Sequence, residues 1–264
     1  MGKYNIETCN VKTKEQLLVE TYLELFLNMS SRIKEEVSMA GNILLNQLFP
    51  EDARSTNDLD VCTTTRKVYE EVIKDILKDF GESILKVEPG GRYQIREVGE
   101  GDKGGLVVYS ESGERLYSVD IALESSILMG VVEYEFRGIR AYGSSIERII
   151  CDKSLATLSK AKFRRVKDFY DIYIILKSKT KLEYSEICDL MIERVGFEEV
   201  ERMLNGIPFQ QKDTEKLIYA WNKLSLTRID GEPLKRPEFE EMILMIYNMY
   251  RNIKIEYSKK GLIF

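Results

Sequence analysis

The stretch RSTNDLDVCT, Arg54–Thr63, decides how this chain is read. Its centre has the two-residue alternation of a strand. Leu59 and Val61 share one face, as core residues do. Asp58, Asp60 and Cys62 share the other. Two carboxylates then stand side by side on one strand face. At a separation of ~6–7 Å and an effective dielectric of ~20 they repel by roughly 2–3 kcal/mol. A strand that keeps such a pair needs a reason for it.

The elements around this strand read as a mixed α/β half. Helical apolar spacing marks TKEQLLVETYLELFLNMS, and a short strand at Val37–Ala40 ends at Gly41. NILLNQLF reads as a short helix leading to the Asp strand. A longer helix starts near Thr65, with Val68, Val72, Ile73 and Ile76 on one stripe. RYQIREV, GLVVYS and RLYSVDIAL read as strands, with GEGDKGG as a hairpin connection. VVEYEFRGIRAY adds one or two more.

Near Tyr142 to Ser144 the character changes. Ser144, with Glu147 three residues on, reads as a capping box. From there six segments of helical spacing follow, roughly 145–159, 164–178, 184–195, 197–205, 211–225 and 236–253. The expected class is α+β: a mixed sheet with helices over 1–142, then an all-helical domain over 143–264.

Composition narrows the chemistry. With 44% hydrophobic and 31% charged residues in 264, one large or two modest globular domains are expected. There is no His, which removes Ser-His and Cys-His catalysis and His-ligated zinc. Catalysis must then use carboxylates, Lys, Arg, Tyr or a metal. Cys9, Cys62, Cys151 and Cys188 form no CxxC pair, MGKYNIETCNVKTKEQ shows no apolar signal region, and no apolar run approaches the ~20 residues of a membrane span. A cytoplasmic protein with free thiols is expected. A net charge of −5 gives no general field for nucleic acid, so any such binding needs a local basic cluster. The candidates are Lys160, Lys162, Arg164, Arg165 and Lys167.

Three further positions stand out. In RLYSVDIAL, Tyr117, Val119, Ile121 and Leu123 alternate on one face, and Asp120 shares the other with Ser118 and Ala122. A third carboxylate beside Asp58 and Asp60 would make an oxygen site for Mg²⁺ or Mn²⁺. The plainer alternative for Asp120 is an edge-strand acid in solvent. Lys153 continues the inward stripe of Ile146, Ile149 and Ile150, where a lysine needs a partner or must snorkel outward. In KFRRVKDFYDIYIIL, Val166, Phe169, Tyr170 and Tyr173 form an apolar stripe. Asp168 there is within local ion-pair reach of Arg164 and Arg165.

These pieces, in this order, resemble the AbiEii/AbiGii-type nucleotidyltransferase toxins. That family has a Gly-Gly turn after a strand, a short helix, then R-x-S/T-x-DLD; MAGNILLNQLFPEDARSTNDLD, residues 39–60, follows the plan. Gly41 and Thr56 match, and Asn42 stands at the second glycine with an amide that can donate a hydrogen bond. YSVDIAL gives Asp120, IERIICDKSLATL gives Lys153, and RVKDFYDIY gives Arg165, Asp168 and Asp171. Asp152 stands where Glu is usual, and Ser154 where Leu is.

The resemblance covers roughly residues 37–176. It implies a polymerase-β-like nucleotidyltransferase core with a helical C-terminal domain. The implied metal ligands are Asp58, Asp60 and Asp120. The implied nucleotide contacts are Gly41, Asn42, Thr56, Lys153 and Arg165. The catalytic set is Asp58, Asp60, Asp120, Lys153, Asp168 and Asp171. Also implied are NTP as substrate, an RNA acceptor such as a tRNA 3′ end, an antitoxin partner, and a role in phage defence. A protein acceptor, or an inactive nucleotide- or partner-binding module, stands as the alternative.

Overall fold

A computed structural model describes residues 13–33, 36–99, 102–124, 129–160, 162–207 and 209–261. Cys9 and part of the GEGDKGG connection, residues 100–101, lie outside the described residues.

Helix and strand alternate up to residue 87, and strands alone follow to residue 144. Helix α1 (Lys14–Ile33) leads to β1 (Val37–Ala40), α2 (Gly41–Leu48) and β2 (Asp58–Thr63). Thr65 caps the next helix by accepting from the Val68 N–H. That helix runs as α3 (Arg66–Val68), a π-turn over Tyr69–Ile73, and α4 (Lys74–Val87). Five strands follow: β3 (Arg92–Arg96), β4 (Lys103–Tyr109), β5 (Arg115–Leu123), β6 (Val131–Phe136) and β7 (Ile139–Ser144).

The seven strands form one mixed sheet in the order β3-β4-β5-β2-β1-β7-β6. Strand β2 pairs antiparallel with β1 and parallel with β5. Leu59 and Val61 on β2 are buried, as are Val119 and Ile121 on β5. The Asp-bearing face turns the other way.

Helices α5 (Ile146–Leu158), α6 (Val166–Lys177), α7 (Tyr184–Val195), α8 (Phe197–Asn205), α9 (Gln211–Lys223) and α10 (Phe239–Gly261) complete the chain. Among the described residues the main apolar core runs from Tyr22 and Phe26 of α1 through the sheet to Ile253 and Tyr257 of α10, with a small second cluster at Ala40 and Cys62. One local expectation is corrected. The cap of α5 is Ser145, whose Oγ accepts from the Arg148 N–H at 3.1 Å. Ser144 instead ends β7, because the strand extends further than the sequence pattern suggests.

Candidate active site

The register of β2 and β5 sets the centre of the site. Asp58 lies opposite Ser118, and Asp60 opposite Asp120. All three acids line one cleft of about 850 Å³, whose other walls come from α2, α5 and the start of α6. The repulsion expected from Asp58 is only a minor part of what acts on Asp60. Desolvation, then the Asp120 carboxylate, push Asp60 up to about 6 against the pull of Lys153. The two outer acids take arginine partners: Arg115 donates to Asp58, and Arg96 to Asp120.

Among the described residues no three carboxylates yet converge on one point as ligands. The donor set nevertheless fits a hard divalent cation. It is oxygen-only, and two of its acids already attract cationic groups. Asp60 also rests in a notch that fits only glycine. A Cβ on Gly41 would sit 1.9 Å from Asp60 Oδ2. Gly41 has φ +64, a left-handed conformation.

Gly41 opens α2, and its cap residue Ala40 contributes no side-chain hydrogen bond. The positive end of that helix therefore lies on the cleft. Asn42, the next residue, is buried, and its Oδ1 accepts from Lys153 Nζ at 3.2 Å. Its Nδ2 is buried without a hydrogen-bond partner. Thr56 lines the same cleft.

Lys153 does not snorkel. It is buried, with Nζ 2.7 Å from Asp171 Oδ2 and 3.3 Å from Asp168 Oδ1. Arg54 grips Asp171 from the other side through two parallel bonds of 3.0 and 2.9 Å. Arg165 Nε lies 2.7 Å from Asp168 Oδ2. Burial alone would raise the Asp171 carboxyl, but Lys153 and Arg54 outweigh it and hold Asp171 below its usual range. Lys153 and Asp168 line the cleft, while Asp171 sits behind them with its side chain fully buried.

The basic cluster at the start of α6 divides. Arg164, Arg165 and Lys167 line the cleft. Lys162 is drawn off to Asp213 at 2.8 Å and over the Phe209 ring. Lys160 does not line the cleft either.

With this geometry in place, comparison with known proteins decides the family. The family model described as nucleotidyl transferase AbiEii toxin, type IV toxin–antitoxin system, matches residues 28–247. The chain belongs to the AbiEii nucleotidyltransferase toxin family. It is therefore a nucleotidyltransferase of a toxin–antitoxin family, with an NTP substrate implied.

The fold likeness extends over nearly the whole chain. The structure of JHP933 from Helicobacter pylori superimposes with a TM-score of 0.51 at 17% identity, covering 95% of this chain and 96% of that one. The nucleotidyltransferase toxin MenT4 of Mycobacterium tuberculosis matches at a TM-score of 0.47 and 14% identity, over 91% and 84%. A putative nucleotidyltransferase of H. pylori matches at 0.47 and 15%, over 94% and 98%. No curated protein matches the sequence. Among the described residues, no helix of this AbiEii-family chain is long and apolar enough to cross a membrane.

Three arginines of this AbiEii-family site have no place in the sequence-derived residue set: Arg54, Arg96 and Arg115. Arg54 sits inside the R-x-S/T-x-DLD pattern, so its position was visible while its partner Asp171, 117 residues away, was not. For Arg96 the available signal was the Gly104-Gly105 pair in an otherwise apolar strand, which marks a close approach. A Cβ on Gly105 would lie 2.7 Å from Arg96 Nη2 and 1.9 Å from the Val119 carbonyl oxygen. The glycine lets the arginine cross β4 and reach Asp120 on β5.

Proposed function

We propose that this chain is a metal-dependent toxin that transfers NMP from an NTP to an RNA acceptor, a tRNA 3′ end, releasing pyrophosphate. The observation that carries the reading is the meeting of three strand carboxylates and Lys153 in one cleft. Residues 1–142 act as the transfer domain, and 143–264 as the helical domain supplying Lys153, Arg165, Asp168 and Asp171. The setting is the cytoplasm, in phage defence under the control of an antitoxin.

In the reaction an acceptor hydroxyl oxygen bonds to the α-phosphorus. The bond from that phosphorus to the α–β bridging oxygen breaks, and pyrophosphate leaves with the electron pair. Asp58, Asp60 and Asp120 would hold Mg²⁺ or Mn²⁺, which when bound neutralises phosphate charge and favours ionisation of the hydroxyl. Asp120 takes the hydroxyl proton on a carboxylate oxygen, oriented by Arg96. Gly41 and Asn42, at the positive end of α2, bind the triphosphate with Thr56. The free Nδ2 of Asn42 supplies a donor to it. Lys153 and Arg165 counter the negative charge that builds on the leaving side. Asp171 and Asp168 keep the Lys153 ammonium aimed at the cleft. Asp171 acts through Lys153, as a positioning residue.

The test is incubation of the purified chain with each α-³²P-labelled NTP, Mg²⁺ and total RNA or cell lysate. Label on RNA supports the proposal. Label on protein moves the acceptor to a polypeptide. Label on neither, with NTP binding intact, makes the chain a binding module.

A further inference from the structure

The cleft carries nine Lys and Arg side chains against six Asp and Glu, in a chain of net charge −5. Its positive charge is local, and the sheet register divides it into two groups around the acids. On the β1 side of Asp60 stand Gly41, Asn42 and Lys153, because α2 begins where β1 ends. On the other side the register runs Asp60, Asp120, Gly105, Arg96 across β2, β5, β4 and β3. Lys103 on β4 lies opposite Ala122, two residues further along β5 than Asp120. Arg115 opens β5 at the opposite end and reaches Asp58.

Arg96, Lys103 and Arg115 therefore form a line along β5, on the side of the acids away from Lys153. None of them belongs to the motifs that identify the family. Lys103 is the unpaired member of the row: it is exposed, with no ion pair among the described residues. The Arg96 and Arg115 side chains are 39% and 48% exposed, so each keeps part of its guanidinium open while it pairs with its acid. The wall is also built to stay in place. The Tyr69 hydroxyl donates to the Arg96 carbonyl and accepts from the Gly105 N–H at 3.1 Å. The Tyr69 ring, carried on the π-turn, packs so closely on Gly104 that a Cβ there would lie 2.6 Å from it.

Phosphoryl transfer places the attacking and leaving oxygens roughly in line, on opposite sides of the phosphorus. If the triphosphate lies on the Gly41–Lys153 side, the acceptor enters from the β4–β3 side. We infer that Arg96, Lys103 and Arg115 form a second anion-binding wall, which takes phosphodiester groups of a nucleic-acid acceptor. This rests on the nucleotidyl-transfer reading above. It assigns the acceptor to nucleic acid rather than protein, because a row of three cations suits a repeating phosphate backbone.

The test uses the full chain, a fluorescein-labelled single-stranded RNA with a free 3′ hydroxyl, and the four NTPs. RNA affinity is read by anisotropy without nucleotide, and NTP affinity by calorimetry. Lys103→Glu and Arg115→Gln are compared with wild type. Both variants are expected to weaken RNA binding about three- to tenfold and to reduce the salt slope by about 0.7 per lost contact, and Lys103→Glu, which has no partner among the acids of the site, to leave NTP affinity unchanged. Unchanged RNA affinity in Lys103→Glu overturns the inference. So does an equal loss of NTP affinity, which would give the wall to the triphosphate. A wild-type chain that binds NTP and no RNA overturns this wall while leaving transfer to another acceptor standing. RNA binding that depends on the wall in a chain that binds no NTP supports the wall and overturns the reading beneath it.

Discussion

Lys153 Nζ lies 2.7 Å from Asp171 Oδ2, a contact between α5 and α6 in which neither side chain has appreciable access to water. The Arg54 guanidinium closes on the same carboxylate from the loop before β2. One buried acid thus ties the loop that precedes the Asp strand to both helices behind the cleft. Burying charges costs several kcal/mol per ion unless the partners are well placed. Here the arrangement fixes a lysine at the cleft wall beside Asn42, so its value lies in position.

Asp171→Asn should therefore destabilise the protein by about 3–5 kcal/mol near neutral pH, since it leaves Arg54 without its acid. Asp171 is held below its ordinary carboxyl range. Its contribution is complete above the unfolded value of ~3.9 and is lost as pH falls through the lower folded value. Thermal melts from pH 7 to pH 3 should show a constant gap between wild type and variant down to about pH 5, closing below about pH 4. A gap that persists unchanged at pH 3 would show that the ion pairs are not its source.

Lys153→Met separates catalysis from stability. Its two acids each keep an arginine, Arg54 for Asp171 and Arg165 for Asp168. The loss of stability should then fall below the ~3–5 kcal/mol typical of breaking a buried pair. Nucleotidyl transfer should fall by about 10²–10³, the usual effect of removing one donor that meets transition-state charge. A variant that melts lower yet transfers label at the wild-type rate would confine Lys153 to a structural part.

Much of this arrangement could be read from the chain because its signals are local. Leu59 and Val61 alternate with Asp58 and Asp60, so one strand declares both its core face and its acid face. Lys153 falls on the stripe of Ile149 and Ile150, and its inward position follows from helical spacing alone. What could not be read depends on strand order. Arg96 meets Asp120 only because β4 lies between β3 and β5 and carries glycine at the crossing. An arginine at a strand end otherwise looks like a solvated side chain. Two serines adjoin at the start of α5, and which of them caps it depends on where β7 stops pairing with β6, a boundary that local spacing does not mark.

Asp60→Asn should abolish transfer without lowering the melting temperature. The ionised form of Asp60 is disfavoured by desolvation and by Asp120, so the amide removes a cost and no ion pair of Asp60 is lost among the described residues. Expression of the wild-type chain in a bacterium without an antitoxin should slow growth, and the variant should not. Growth arrest by a soluble, folded Asp60→Asn chain would remove Asp60 from the chemistry.

Gly41→Ala tests the notch at the start of α2. Two effects act there. The left-handed φ of +64 costs alanine about 1–2 kcal/mol. The new Cβ would also lie 1.9 Å from Asp60 Oδ2 and 2.7 Å from Asp60 Cγ, so the carboxylate must rotate away. Gly113→Ala separates the two effects. Gly113 also has positive φ, +85, but a Cβ there meets nothing within 4 Å and it does not line the cleft. Both variants should lose about 1–2 kcal/mol of stability by denaturant titration. Only Gly41→Ala should also lose transfer activity, because only there does the methyl group displace Asp60. If the two variants retain equal activity, the close packing of Gly41 on Asp60 serves the fold alone.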